Sequence, residues 1–226
     1  MSDSAFQAEH ISRSFGKRQI LSDCSLHADK GDCIGIAGRN GSGKSTLLSI
    51  LAGIRKPSSG TVTCFGRNLL QNRKEFGRLI GYVPQTNPLI EELSVLDNLK
   101  LLTGSRVPEM SPVLESLSVK ELLRTKVSDL SGGMKRRAAI AAALLPGPPV
   151  LIMDEPTSAL DLYHKSAIYD NLKTYRESGG ILIMATHDQE EMALCSRLYL
   201  IEHGTARETT AEAAVSRIRG NITVSA

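Results

Sequence analysis

A glycine-rich octapeptide at residues 38–45 constrains the fold of this chain more than any other feature. It reads Gly-Arg-Asn-Gly-Ser-Gly-Lys-Ser and matches the spacing G-x-x-x-x-G-K-[ST] at each fixed position. The apolar run Cys33–Ala37 precedes it, and residues 46–52 follow with the length and apolar spacing of a buried helix. The octapeptide therefore lies between a strand and a helix, as a phosphate-binding loop requires, and indicates an α/β fold.

The residue types in this loop suit phosphate chemistry. Gly38, Gly41 and Gly43 lack a Cβ atom, so the backbone can adopt positive φ and turn successive N–H groups inward around an anion. The helix that begins near Lys44 adds the equivalent of roughly half a positive charge at its amino end. We expect Lys44 to reach the β- and γ-phosphates of a nucleotide and Ser45 to ligate Mg²⁺.

The composition of the whole chain excludes several classes of protein. Its 226 residues are enough for one large α/β domain, or for one domain with a small helical insert. The net charge of +3 comes from 27 basic and 24 acidic residues without a sustained basic run, so charge gives no support to nucleic-acid binding. The four cysteines form no C-x-x-C pair and are expected to be reduced cytosolic thiols in or near the core. No apolar run approaches the roughly 20 residues that a membrane span needs.

The segments on either side of the first helix are typical of short strands. Residues 6–32 alternate apolar and polar side chains, which predicts antiparallel strands. Phe15 in this region could stack on a purine ring or pack in the core. Residues 61–65 are predicted as a strand, residues 66–78 as a polar connection, and residues 80–85 as a strand that ends at Gln85. A glutamine at such a position is, on its own, typical of a surface residue.

The sequence then changes to helical spacing. Between residues 86 and 130 the apolar residues fit a helical face, and Ser118-x-x-Glu121 is a capping box that predicts a further helix. We interpret this segment as a small helical subdomain inserted into the α/β core. The next helix begins at Leu-Ser-Gly-Gly, residues 130–133, with Ser131 as its cap. Glycines in a first helical turn are costly unless a backbone approaches closely, and an anion at the positive helix end is the natural candidate.

Two buried strands are predicted to carry polar residues to one edge of the sheet. Residues 150–153 are continuously apolar and lead to Asp154 and Glu155. In an open parallel sheet, ligands bind at the carboxyl edge of the strands. Asp154 suits a position near Mg²⁺, and Glu155 suits polarisation of an attacking water. A second apolar run, residues 181–185, leads to His187, which is structural or donates to a γ-phosphate oxygen.

Taken in this order, residues 6–204 resemble the nucleotide-binding subunit of ABC transporters. The resemblance rests on Walker A at residues 38–46, the Q-loop residue Gln85, the LSGG signature at residues 130–133 and Walker B at residues 150–154. It assigns catalysis to Lys44, Gln85, Glu155 and the switch histidine His187. It assigns Mg²⁺ to Ser45, Gln85 and Asp154. It assigns ATP binding to Phe15, Gly38, Arg39, Asn40, Gly41, Ser42, Gly43, Lys44, Ser45, Thr46, Ser131, Gly132, Gly133 and the D-loop residue Asp161.

The resemblance also implies an architecture and partners. The expected fold is a RecA-like P-loop core with an antiparallel β-subdomain and a helical subdomain at about residues 86–145, within one domain spanning residues 1–226. Two copies, as a homodimer or heterodimer, are expected to sandwich two ATP molecules. The expected membrane partner is a transmembrane permease subunit, which places the chain peripherally on the cytoplasmic face of the membrane. Met134, where many importer subunits carry glutamine, favours export.

Three other classes of protein are alternative interpretations of this sequence. A soluble ABC ATPase that acts on nucleic acid or the ribosome normally carries a long coiled coil, a metal site or a second cassette, and this sequence has none. A GTPase would need an Asn-Lys-x-Asp motif, which is absent from the sequence. A non-catalytic binding module would not need the complete set of chemical residues that is present here.

Overall fold

A computed structural model describes residues 4–104, 107–108, 110–157, 160 and 162–220 of the chain. The strands are β1 (Phe6–Phe15), β2 (Arg18–Ala28), β3 (Cys33–Ala37), β4 (Ser59–Cys64), β5 (Arg67–Asn68), β6 (Ile80–Val83), β7 (Val150–Asp154), β8 (Ile181–Ala185), β9 (Arg197–Glu202) and β10 (Thr205–Thr209). The helices are α1 (Lys44–Leu51), α2 (Arg73–Leu79), α3 (Val95–Thr103), α4 (Pro112–Ser116), α5 (Gly132–Leu144), α6 (Leu162–Glu177), α7 (Gln189–Leu194) and α8 (Ala211–Arg219). The chain thus combines α and β elements, as the sequence predicts.

A six-stranded sheet in the order β10-β9-β3-β8-β7-β6 forms the centre of the molecule. Neighbouring strands from β9 to β6 run parallel, and β10 pairs antiparallel with β9 at one edge. Strands β3, β7 and β8 are buried along their whole length. Because successive side chains on a strand point to opposite faces, a strand buried on both faces must be apolar throughout.

The alternation of side chains places the central strands between two large hydrophobic cores, and a third, smaller core contains Ala37, Leu198 and Leu200. In β7, Val150 and Ile152 join the core that contains α1 and the antiparallel sheet. Leu151 and Met153 join the core on the other face, together with α5 and the helices that precede it. The parallel sheet therefore separates a β-rich layer from a helical layer.

The second sheet is antiparallel and has the order β2-β1-β4-β5. Strand β1 pairs with β2 in a register that places Phe6 opposite Ala28 and Phe15 opposite Arg18. Its other neighbour is β4, with Ala8 opposite Val62. The predicted antiparallel strands are confirmed, and the turn after β1 brings Phe15 to the end of a hairpin.

The structure contradicts two local predictions. The segment predicted as a polar connection, residues 66–78, contains β5 and most of α2, whose Asn72 cap accepts a hydrogen bond from Lys74 N at 3.2 Å. The helix predicted from the capping box at Ser118 is only a 3₁₀ turn, Lys120–Leu122. Ser118 has a φ of 48°, whereas a capping serine needs extended backbone, so the box cannot form.

The helix predicted after the Leu-Ser-Gly-Gly segment is present as α5. Ser131 caps it, because its hydroxyl accepts a hydrogen bond from Met134 N at 3.3 Å. The alanine-rich face of α5 is buried in the helical layer. The predicted cap is confirmed.

The cysteines are free thiols, as the sequence predicts. Cys24, Cys33 and Cys64 are buried, and Cys195 is half-buried. Burial raises the pKa of the Cys64 thiol to about 12. Within the described ranges, every helix is too short or too polar to cross a lipid bilayer.

Gly53 offers a test of the packing between α1 and α2. Its φ is 72°, and a Cβ atom there would lie 2.3 Å from Phe76 Cγ. We expect Gly53→Ala to lower the free energy of unfolding by about 2–4 kcal/mol, from left-handed backbone strain and from overpacking against the ring. Urea denaturation measures this loss.

The matched control is Gly66→Ala. Gly66 has a φ of 73°, but a Cβ atom there would have no described atom within 4 Å. We therefore expect Gly66→Ala to lower the free energy of unfolding by about 1–2 kcal/mol, from the left-handed backbone strain alone. Equal losses in the two variants would show that Phe76 does not restrict Gly53.

Candidate active site

A cleft of about 590 Å³ opens at the carboxyl edge of the parallel sheet. It is lined by Phe15, Arg18, Ile20, Asn40, Gly41, Gly43, Lys44, Ser45, Thr46, Gln85, Glu155 and His187. The adjacent strands β3, β8, β7 and β6 end here, so the segments that follow them meet along one edge. A larger, mainly apolar cleft of about 920 Å³ lies at Pro148, Tyr175 and Gly180 and contains none of the predicted site residues.

The phosphate loop depends on two glycines that admit no side chain. At Gly38, where φ is 151°, a Cβ atom would lie 2.6 Å from Ser42 Oγ and 2.8 Å from Ile201 O. At Gly43, where φ is 111°, it would lie 2.9 Å from Leu21 Cδ2. The loop can therefore pack tightly against β9 at Gly38 and against β2 at Gly43.

Lys44 holds this loop together from inside. Its side chain is only 6% exposed, and Nζ donates to Gly38 O at 2.9 Å and to Arg39 O at 3.3 Å. Burial lowers the pKa of the Lys44 ammonium, while the carboxylates of Glu155 and Asp154 oppose that shift. The ammonium thus lies between backbone carbonyls and two acids, in a position to meet an anion.

The amino end of α1 adds to this positive potential. Its capping residue is Gly43, no described side chain caps the helix, and its first turn contains no acidic residue. The first N–H groups of the helix consequently point into the cleft region without side-chain partners. Such an end is a binding site for phosphate.

Asp154 lies beneath the cleft rather than on its lining, and it is 3% exposed. Burial raises the pKa of its carboxyl group, and a hydrogen bond from the Ser45 hydroxyl is the largest opposing influence. Two predicted Mg²⁺ ligands are therefore close enough for the Ser45 hydroxyl to favour the ionised form of Asp154. Hydroxyl and carboxylate oxygens are ligands that Mg²⁺ prefers, and it usually completes its shell with water and phosphate oxygens. Among the described residues, no group of three or more His, Cys, Asp or Glu side chains is placed to hold a metal ion.

Glu155 is at the mouth of the cleft and contacts two other predicted residues. Gln85 Nε2 donates to Glu155 Oε2 at 3.1 Å, and His187 Nδ1 lies 3.3 Å from Glu155 Oε1. The Glu155 side chain is 11% exposed, against 57% for His187. The residue has a φ of 49°, in the left-handed region that a glutamate rarely adopts. Its carboxylate is therefore held in place at the expense of backbone strain.

Phe15 is the last residue of β1, lines the cleft and is 41% exposed. The guanidinium carbons of Arg13 and Arg55 lie 4.8 Å and 4.9 Å from the centre of its ring. Arg13 is itself fixed by a hydrogen bond to Lys56 O at 3.0 Å. The ring is thus partly exposed at the cleft rather than packed in the core, and the two guanidinium groups already contact it.

Some predicted residues lie outside this cleft. Gly38, Arg39 and Ser42 belong to the phosphate loop but do not line the cavity. Ser131, Gly132 and Gly133 are at the amino end of α5, where Ser131 and Gly132 are exposed. Asp161 lies outside the described residues. One copy of the chain therefore does not bring the signature segment to its own cleft.

Sequence reasoning missed several residues near the site. Arg18 and Ile20 line the cleft because the β1–β2 hairpin folds over the phosphate loop, and only the position of Phe15 hints at this. Arg136 on α5 contacts the backbone around Glu155. The only feature of the sequence that could have indicated Arg136 is its position five residues after Ser131, on the same predicted helix.

Comparison with known proteins agrees with this geometry. The ABC transporter family profile matches residues 21–158. Nod factor export ATP-binding protein I of Paraburkholderia xenovorans (strain LB400) is 36% identical over 214 residues, which cover 90% of this chain and 70% of that protein. The protein of the same name from Rhizobium sp. (strain N33) is 34% identical with the same coverage.

Solved structures give the same result at the level of the fold. An ATP-binding subunit of an ABC transporter superposes with a TM-score of 0.82 and 25% identity, over 96% of this chain and 95% of that one. A dimeric ATP-binding cassette in a post-hydrolysis state, bound to ADP and Pi, has a TM-score of 0.80 and 28% identity, over 91% of this chain and 98% of that one.

This chain belongs to the ABC transporter family. It has the RecA-like P-loop fold predicted from the sequence. It is an ATP-binding, ATP-hydrolysing subunit that powers transport through a separate transmembrane partner and works as a dimer. The alternative role on nucleic acid or the ribosome receives no support from these relatives.

The position of Lys44 generates a first prediction for the site. Lys44→Ala removes a buried cation from the phosphate loop, so we expect ATP binding to weaken about 10- to 100-fold and hydrolysis to be abolished. Lys173→Ala is the control, because Lys173 is 73% exposed on α6 and pairs only loosely with Glu177 at 4.0 Å. Turnover of the Lys44 variant within a few-fold of wild type would contradict this role.

A second prediction concerns the exposed ring of Phe15. Phe15→Ala should weaken ATP and GTP by similar factors, about three- to ten-fold, because stacking uses the flat face of a base and not its hydrogen-bonding edge. Phe65→Ala is the control, since Phe65 is 38% exposed but lines the other cleft. Fluorescent-nucleotide titration measures both affinities. A loss confined to ATP would mean that the contact is base-specific.

Proposed function

We propose that Glu155 activates the water that attacks the γ-phosphate of ATP bound in the cleft. The observation that supports this most directly is the contact of Glu155 with both Gln85 and His187 at the mouth of the cleft. A general base must lie within hydrogen-bonding reach of the proton it removes, and it must keep its orientation. Two flanking side chains and a restrained backbone supply that orientation.

The proposed reaction is a displacement at phosphorus. The carboxylate of Glu155 takes a proton from water, the water oxygen bonds to the γ-phosphorus, and the bond from that phosphorus to the bridging oxygen breaks. The electron pair of the broken bond stays with ADP, and inorganic phosphate is the second product. His187 donates a hydrogen bond to a γ-phosphate oxygen, where negative charge concentrates.

The remaining residues of the cleft bind the nucleotide in this proposal. The ring of Phe15 stacks on adenine, and the backbone of residues 38–46 surrounds the triphosphate with Lys44 against its β- and γ-phosphates. Ser45, Asp154 and Gln85 hold Mg²⁺, which neutralises phosphate charge when bound. The influence of the Ser45 hydroxyl on the Asp154 carboxyl supports this assignment, because it means that the two residues are neighbours.

The signature segment is proposed to act on the nucleotide of the other copy. Ser131 and Gly132 are exposed at the amino end of α5, away from the cleft of their own chain. A helix amino end with small residues can approach a γ-phosphate closely. Two copies, identical or not, would therefore enclose two ATP molecules between phosphate loop and signature, and Asp161 would contribute to ATP binding.

We further propose that the transport is export and that the chain acts at the cytoplasmic face of the membrane. Two relatives are named as export ATP-binding proteins. Residues 1–226 would act as one ABC ATPase domain, with residues 86–145 as the helical subdomain. Leu101, Leu102 and Met110 in that segment are 60%, 48% and 82% exposed, which suits docking of a transmembrane permease subunit. No nucleic-acid partner is expected.

Glu155→Gln tests the proposed chemistry. Glutamine keeps the shape and hydrogen-bonding reach of the side chain but cannot accept the proton of water. We expect steady-state hydrolysis to be lost, with only a slow residual single turnover, and ATP binding to be kept, so that an ATP-loaded dimer accumulates. Size-exclusion chromatography should show this dimer with ATP and not with ADP, which lacks the γ-phosphate. A Glu155→Gln variant that hydrolyses ATP at the wild-type rate would overturn the assignment.

A second substitution in the same chain tests the assembly. Ser131→Arg places a bulky side chain where the γ-phosphate of the other copy is expected. The dimer trapped by Glu155→Gln should disappear in the double variant, while each monomer still binds ATP in its own phosphate loop. A double variant that still dimerises with ATP would refute the proposed role of the signature.

A further inference from the structure

The side chain of Arg136 connects the signature helix α5 to the backbone that carries Glu155. Its Nε donates to Pro156 O at 2.9 Å, and its Nη2 donates to Asp154 O at 2.7 Å and to Glu155 O at 3.0 Å. Its Nη1 donates to Pro84 O at 2.5 Å. One guanidinium thus binds the carbonyl groups of three consecutive residues centred on Glu155 and that of the residue before Gln85.

These four hydrogen bonds supply partners for backbone carbonyl groups that have none within the sheet. Strand β7 ends at Asp154, so the carbonyl groups that follow it need partners outside the sheet. Glu155 also has a φ of 49°, a left-handed conformation that is unfavourable for a glutamate and persists only where the surroundings enforce it. Arg136 donates on both sides of this strained residue. The hydrogen bond from Glu155 N to Ala185 O, at 3.0 Å, fixes the remaining backbone group.

The chemistry of the contact is specific to arginine. A guanidinium carries five N–H donors in a rigid planar fork, whereas a lysine amine is a point charge on a flexible stem. Burial lowers the pKa of the Arg136 guanidinium, and the charge of Asp154 is the largest opposing influence. A half-buried cation that uses four of its five donors is therefore available to hold the two catalytic loops at a set distance from α5.

We propose that Arg136 is a positioning residue for hydrolysis, which holds Glu155 and the start of the Q-loop against the signature helix. Ser131 and Arg136 are on one rigid helix, about 7.5 Å apart along its axis. The end of α5 that meets the nucleotide of the other copy is thereby tied to the glutamate that acts on the nucleotide of its own copy. This inference rests on the proposed role of Glu155.

Arg136→Gln is the first test. It leaves the phosphate loop intact, so we expect KM and Kd for ATP to stay within about two-fold of wild type while kcat falls about 10- to 100-fold, as for a misplaced catalytic group. Arg136→Lys keeps the charge but cannot reach all four carbonyl groups, so its kcat should fall about three- to ten-fold. The lysine variant keeps the test open if the glutamine variant does not fold. Wild-type kcat in either folded variant would overturn the proposal.

Arg176→Gln is the matched control. Arg176 is on α6 and also uses its guanidinium to bind backbone carbonyls, Gly31 O at 3.2 Å and Leu194 O at 2.9 Å, neither of which lines the nucleotide cleft. The Arg176→Gln substitution should lower the melting temperature of the protein and leave kcat for ATP hydrolysis unchanged. If Arg136→Gln and Arg176→Gln lower the melting temperature alike and neither changes kcat, Arg136 is only a structural brace and the proposal is wrong.

A double-mutant cycle separates this inference from the proposed function. If Arg136 acts through Glu155, adding Arg136→Gln to Glu155→Gln should change single-turnover hydrolysis less than about two-fold, because the positioned group is already absent. A further loss of ten-fold or more would show that Arg136 acts elsewhere and would overturn the inference. Hydrolysis at the wild-type rate by Glu155→Gln alone would instead overturn the role of Glu155.

Discussion

The burial of β3, β8 and β7 on both faces is the constraint on which the rest of the structure depends. The side chains of β7 and β8 alternate between two separate cores, so a shift of one residue in register would exchange every contact of these strands. The register is therefore well defined, and so is the height at which each strand ends. The phosphate loop, His187, Glu155 and Gln85 meet at one edge because the strands before them are adjacent and end at the same level.

The distribution of charge in the cleft depends on the groups that the strands place at this edge of the sheet. Asp154 and Lys44 are both buried, and burial disfavours the charge of each, while each favours the charge of the other. The amino end of α1 and the acids at the end of β7 give the cleft a positive and a negative side. A triphosphate can lie against the first side while a water lies against the second. The backbone places the amino end of α1 and these acidic side chains on different sides of the cleft, and this separates the charges that act on the nucleotide and on the water.

The sequence predicted the elements with strong local signals. The phosphate loop, the buried strands and the Ser131 cap depend on backbone conformations and apolar runs that a short segment specifies by itself. The failures have equally local causes. Helix α2 is only seven residues long, too short for an apolar period to be visible. The capping box predicted at Ser118 does not form, because Ser118 has a positive φ. This conformation lets the chain turn between α4 and the following 3₁₀ turn.

What the sequence by itself determined is the chemistry of each segment: which loop suits phosphate, which strand ends in acids, and which helix has a small-residue amino end. Only the tertiary structure decided how these segments meet. Gln85 and Glu155 are 70 residues apart in the chain yet 3.1 Å apart in space, because β6 and β7 pair in parallel. Arg136 was invisible for a further physical reason. Its partners are backbone carbonyl groups, which every residue carries, so no residue type along the sequence marks where a guanidinium will find them.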